Sequence, residues 1–213
     1  LQTVKLEDFL NWRDKSLDVA INLRESANFN TRKSWLWAFA MQVVYGLRIS
    51  EVFAIKNLTE PYVTSDGKPI LALNDPNNTD NLLYIGEHTV LGTKVKTGKR
   101  LARPMIPPKY PDLIEILEIK NCLLPQNKPD GRNSETVRKF YSVTARKQLV
   151  KWNAPTTQTH AFRHLANING IQAGIPQEVR AQSLGHTVQM NESVYKKRQS
   201  TQTTIDLLLN SNS

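Results

Sequence analysis

The sequence predicts an α+β domain, mostly helical with a small antiparallel sheet. Apolar residues recur near a period of 3.6 in long stretches at both ends of the chain, the mark of helices with one buried face. Between them, residues 64–108 carry short strand-like segments set off by the turns at Asp66-Gly67 and Lys96–Lys99 and closed by Pro107-Pro108. A length of 213 residues suits one compact domain, and 39% hydrophobic residues suffice for a core.

In chain order, Leu6, Phe9, Leu10, Leu17 and Ile21 define a helix over 4–23, with Glu7 and Asp8 in its first turn suiting the positive end of the dipole. Asn28, Asn30 and Thr31 break the pattern and offer N-caps. A second helix over 32–45 is apolar on nearly every side, so it should be central, and Gly46 ends it. A third is expected over 50–56, with 48–50 as its entry turn. Segments 69–73, 82–85, 89–94 and 101–106 read as strands. The turn 96–99 makes a hairpin tip loaded with Lys94, Lys96, Lys99 and Arg100. Helices are then expected over 110–123, 134–152, 160–173 and 176–184, with Pro176 in a first turn, and shorter ones over 188–197 and 201–209. The stretch 63–81 is longer than a hairpin needs and has no assignment.

The net charge is +9 and the pI about 9.7, a balance that suits a polyanionic partner or simply a basic surface. No apolar run approaches the roughly 18 residues of a membrane helix. A single cysteine, Cys122, excludes an internal disulfide, and its apolar neighbours make it a small core residue rather than a nucleophile.

Chemistry-bearing residues cluster in the last third and at one place upstream. His160 and Arg163 share a helix face; His186 follows Leu184-Gly185; Tyr195 comes nine residues later; Arg48 lies in Gly46-Leu47-Arg48-Ile49-Ser50-Glu51. Taken singly, each reads as a solvated charge, a structural hydrogen-bonder or a core aromatic. Together, Gly-Leu-Arg-Ile-Ser-Glu at 46–51, Thr-His-Ala-Phe-Arg-His at 159–164, and Leu-Gly-His at 184–186 followed by Tyr195 resemble the boxes of the tyrosine recombinases, the phage-integrase family. The resemblance covers roughly residues 4–200 and rests on four separated boxes agreeing in order and spacing.

That resemblance implies the catalytic domain of a DNA breaking-rejoining enzyme over residues 1–200, followed by a tail, 201–213, that docks on a neighbouring protomer. Arg48 and Arg163 would clamp the free oxygens of a phosphodiester through planar, bidentate guanidiniums. His186 would donate to the same oxygens, and Tyr195 would attack phosphorus. A tyrosine of ordinary pKa near 10 needs help losing its proton, for which His160 is a base or orienter. The leaving 5′ oxygen needs a proton from a hairpin lysine, which is best matched by Lys96, with Lys94 and Lys99 open. Glu51 would orient Arg48 or the histidines from behind, and His164 is either packing or part of the site. Lys94, Lys99, Arg100, Arg138, Lys139 and Arg146 would meet double-stranded DNA. No cofactor and no metal is required. Such enzymes work as homotetramers on DNA; a monomer is expected without it, and a cytoplasmic, nucleoid-associated place. An N-terminal DNA-clamping domain usual in the family is missing from this sequence.

Three other readings compete. His160 and His164, four apart, with His186 would suit zinc, but no Glu follows His160 and Arg163 would sit beside the metal. A basic DNA-binding domain without catalysis would use helix 134–152, with Arg138, Lys139, Arg146, Lys147 and Lys151. A type IB topoisomerase would share fold and mechanism.

Overall fold

The computed structural model describes residues 2–21, 27–126 and 133–190. Its elements are α1 (Leu6–Ile21), α2 (Ala27–Tyr45), α3 (Ile49–Val52), β1 (Tyr62–Val63), β2 (Pro69–Ile70), β3 (Leu83–Ile85), β4 (Arg100–Ala102), α4 (Leu113–Ile116), a 3-10 turn (Ile119–Asn121), α5 (Ser134–Lys151), α6 (Thr159–Gln172) and α7 (Gln177–Leu184). The expected α+β class is the observed one.

Helix α2 is the axis of the core. From Trp35 to Tyr45 every side chain is buried, the condition its all-round apolar sequence demands. α1 and α6 pack on it. Phe9 of α1, Phe39 of α2 and Phe162 of α6 meet with ring centroids 5.1 to 5.7 Å apart. Two indoles fasten distant loops to this core, Trp12 donating to the Trp152 carbonyl at 2.8 Å and Trp37 to that of Ile119 at 2.9 Å. α2 ends at Gly46, whose φ of +65° lies in the left-handed region. A Cβ there would come within 2.2 Å of Leu184 Cδ2, so the absent side chain lets the end of α7 rest on the corner between α2 and α3. This contact brings residues 46–51 beside residues 184–186.

The single expected sheet is two separate antiparallel pairs, β1–β2 and β3–β4. In the second, Ile85 faces Arg100 and Leu83 faces Ala102. Segment 89–94 is not a strand. The Thr89 N–H donates to the Thr93 carbonyl at 2.9 Å and the two hydroxyls lie 2.7 Å apart, so side chain and backbone close a local loop. The helix expected over 110–123 shrinks to α4 and a 3-10 turn. Glu118 and Cys122 both take left-handed φ, and long-range anchors hold them there: Glu118 accepts from Arg13 at 2.9 Å, and the Cys122 thiol donates to the Leu58 carbonyl at 3.2 Å. Tertiary contacts override propensity at that corner. α2 begins five residues earlier than the spacing predicts. α3 stops at Val52, because Ile55 bridges to Ile85 and Lys56 N–H donates to the Tyr84 carbonyl.

The unassigned stretch 63–81 is a hairpin turned at Asp66-Gly67, followed by a loop wound on two buried asparagines. Asn57 donates to the carbonyls of Leu71 and Leu82, and Asn78 to that of Ala72, supplying the partners a buried loop requires. Of the helix expected over 188–197, only the helical turn at 188–190 is described, and the tail 201–213 lies outside the described residues. Among the described residues no helix is long and apolar enough to cross a membrane.

Gly46→Ala should destabilise the chain by about 2–4 kcal/mol, combining left-handed strain with overpacking against Leu184. Urea unfolding of the two proteins checks this; an unchanged midpoint would mean that the α2–α7 contact yields easily.

Candidate functional site

The site is built around Glu51. This carboxylate has no exposed surface, and five donors from four segments converge on it. One oxygen accepts from Arg48 Nη1 at 2.9 Å and from the Thr97 hydroxyl at 2.6 Å. The other accepts from the Arg48 backbone N–H at 2.7 Å, Arg100 Nη2 at 2.9 Å and, more distantly, Arg163 Nη1 at 3.4 Å. The contact to its own helix start arises because Glu51 stands three residues after Arg48, where a glutamate reaches back to the N-terminal N–H. Burial alone would raise this carboxyl, but Arg100 and Arg163, with the hydrogen bonds of Arg100 and Thr97, hold it down at about 2. Three guanidiniums around one carboxylate leave an excess of positive charge.

Arg163 projects from α6 into the same cluster and is buried. Burial, with Arg48 and Arg100 nearby, pushes it down to about 9 against the opposing pull of Glu51, so it stays cationic at neutral pH. Its Nη1 also donates to the Gly46 carbonyl at 2.5 Å, and its Nη2 to the Leu184 carbonyl. Nη2 further lies 2.8 Å from His186 Nε2. A guanidinium can only donate, so His186 Nε2 is the acceptor in this contact. His186 is placed by the close of α7. Gly185, at φ +68°, gives its N–H to Gln182, and the His186 N–H goes to Ala181 at 2.8 Å, the paired bonds of a Schellman end.

Arg48, Glu51, Arg163 and His186, picked out from three separated boxes, are thus brought together. Of the three guanidiniums Arg48 is the most open, its side chain 18% exposed against 8% for Arg100 and 5% for Arg163. Lys96 is exposed and directly precedes Thr97, which touches Glu51; Lys99 is exposed on the same turn. Lys94 lies 3.5 Å from Glu87 across the surface. His160 stands exposed in the first turn of α6, and His164, one turn on, is buried. Arg138, Lys139 and Arg146 are exposed on α5, which sinks Tyr141, Ala145 and Leu149 into the core. Tyr195 lies outside the described residues. Among the described residues no three His, Cys, Asp or Glu side chains are grouped to hold a metal.

Arg100, expected among the DNA contacts of the hairpin tip, turns inward: its side chain is 8% exposed, with Nε donating to the Ser183 carbonyl and Nη1 to the Thr97 hydroxyl, each at 2.9 Å. Thr97 was not expected at all. Strand alternation carried the signal: Arg100 and Ala102 face inward while Leu101 is exposed, and an inward arginine requires an acid.

Guanidiniums from two helical segments beside an imidazole are the makings of an oxyanion site, where planar donors meet tetrahedral oxygens. No family model matches the sequence, and no solved structure matches it. A curated relative, Excisase C of Nostoc sp. (strain PCC 7120), is 26% identical over 183 residues, taking in 83% of this chain. The match spans 31% of that protein's length.

Because Glu51 is ionised in the folded chain down to about 2 but protonates near 4.5 when unfolded, its stabilisation holds above pH 4.5 and is lost as pH falls toward 2. The shift corresponds to about 3 kcal/mol. Glu51→Gln should flatten the stability profile in that window and cost about 3–5 kcal/mol at neutral pH by leaving buried guanidiniums uncompensated. Denaturant titrations at pH 7 and pH 3.5 measure both effects; parallel losses in the two proteins on acidification would contradict the assignment.

Proposed function

We propose that this chain is the catalytic domain of a tyrosine-type site-specific recombinase, cleaving and rejoining double-stranded DNA through a 3′-phosphotyrosine. The observation that carries the reading is the convergence of Arg48 and Arg163 on one buried carboxylate with His186 against Arg163, since these are the residues that the sequence boxes nominate for holding a phosphodiester. The similarity to Excisase C supports a role in DNA recombination.

In this mechanism the two arginines and His186 hold the non-bridging oxygens as the phosphorus becomes pentacoordinate. Tyr195 Oη attacks phosphorus, its proton passing to His160 or to solvent. The bond from phosphorus to the 5′ oxygen breaks, and that oxygen takes a proton from Lys96. The phosphotyrosine keeps the energy of the broken ester, so a new 5′ hydroxyl can reverse the step without ATP. The basic outer face of α5 and the 94–99 turn meet the backbone of the duplex. Four copies assemble on two sites, and the free chain is a monomer.

Incubating the chain with a library of randomised duplexes and isolating protein-linked DNA under denaturing conditions tests the reading. Covalent complexes are expected from the natural sequence and none from Tyr195→Phe, which should retain duplex binding. Adducts that survive in Tyr195→Phe, or no adducts with any duplex, would refute it.

A further inference from the structure

Arg100 is the one guanidinium of the cluster that the mechanism leaves without a task, and it ties three segments together. From the start of β4 it reaches Glu51 at the end of α3, Thr97 in the turn that carries Lys96, and the Ser183 carbonyl in the last turn of α7. Its position is closed from above by Gly185, where a Cβ would fall 2.9 Å from Thr97 Cβ and 3.1 Å from Arg100 Cζ. The Thr97 hydroxyl is used in both directions, accepting from Arg100 and donating to Glu51 at 2.6 Å. The Lys96 turn, the Glu51 carboxylate and the last turn of α7, which leads to His186, are therefore knotted at one side chain that is only 8% exposed.

We propose that Arg100 is a positioning residue that sets the Lys96–Thr97 turn against Glu51 and the end of α7, so that Lys96 meets the leaving oxygen. This rests on the recombinase reading above. Arg100 is not proposed to touch the phosphate. Its guanidinium fits this task because three different nitrogens donate at once to a carboxylate, a hydroxyl and a carbonyl, a fork that lysine cannot reproduce. Arg48 and Arg163 keep their own bonds to Glu51, so loss of Arg100 should disturb delivery of the proton more than grip on the phosphate.

The leaving group separates these effects. A duplex in which sulfur replaces the bridging 5′ oxygen expels a thiolate, which needs no proton donor. The experiment takes a duplex recovered in covalent complexes with the unaltered chain and compares its oxygen and sulfur forms. With Arg100→Gln, single-turnover cleavage of the oxygen form should slow roughly 100-fold, the span of general-acid assistance, while the sulfur form is cleaved within about threefold of the unaltered chain. Equal slowing of both forms would show that Arg100 merely supports the fold, and no slowing would show that it is idle; either overturns the proposal. Should Arg100→Gln fail to fold, Thr97→Val removes the bridging hydroxyl, keeps the arginine, and must give the same oxygen-specific defect. If the unaltered chain cleaves neither form, the recombinase reading has failed and this assignment falls with it. Cleavage by the unaltered chain with an indifferent Arg100→Gln defeats this assignment alone.

Discussion

A carboxylate removed from water must be repaid in hydrogen bonds and charge, and the arrangement of this molecule follows from how Glu51 is satisfied. Its two oxygens draw Arg48 from its own helix start, Arg100 and Thr97 from the hairpin, and Arg163 from α6. No single pair explains the cluster. Breaking one partner of a buried ion group leaves the others uncompensated, so the arginines and the acid hold one another in place. The backbone makes this possible at two glycines. Gly46 lets α7 lie against the α2–α3 corner, and Gly185 ends α7 so that His186 turns toward Arg163 while Arg100 passes beneath.

Much of this was legible in the sequence. Long helices announced themselves by period, and α5, α6 and α7 fall within a residue of the expected bounds. The boxes at 46–51, 159–164 and 184–186 named four residues that do meet. What failed to be legible depends on contacts distant in sequence. The stretch 110–123 has helical composition, yet Arg13 and Leu58 anchor Glu118 and Cys122 in a conformation that ends it. Thr89 and Thr93 look like strand residues but satisfy each other across a loop. Arg100 sat among lysines in a polar turn, so charge suggested a surface; only the alternation of β4, once its partner Ile85 is known, turns it inward.

The same hydrogen bonds that assemble the cluster also occupy it. Arg163 gives its terminal nitrogens to Gly46, Glu51, Leu184 and His186. On the proposed reading, an incoming phosphodiester would take over part of these bonds. The exchange is favoured because an ionic acceptor makes a stronger bond to a guanidinium than a carbonyl or an imidazole does. Arg48, the most open of the three, is the natural first point of contact, and release of His186 from Arg163 would turn an acceptor into a donor once its ring reorients or gains a proton.

The most direct test is a crystal structure of the chain soaked with orthovanadate, a tetrahedral oxyanion that can also mimic a five-coordinate phosphorus. The account predicts vanadate oxygens held by Arg48 and Arg163, with the His186 ring moved from Arg163 Nη2 onto the anion and Glu51 still bridging the arginines. Vanadate bound only among the lysines of α5, with Arg163 and His186 unmoved, would contradict it.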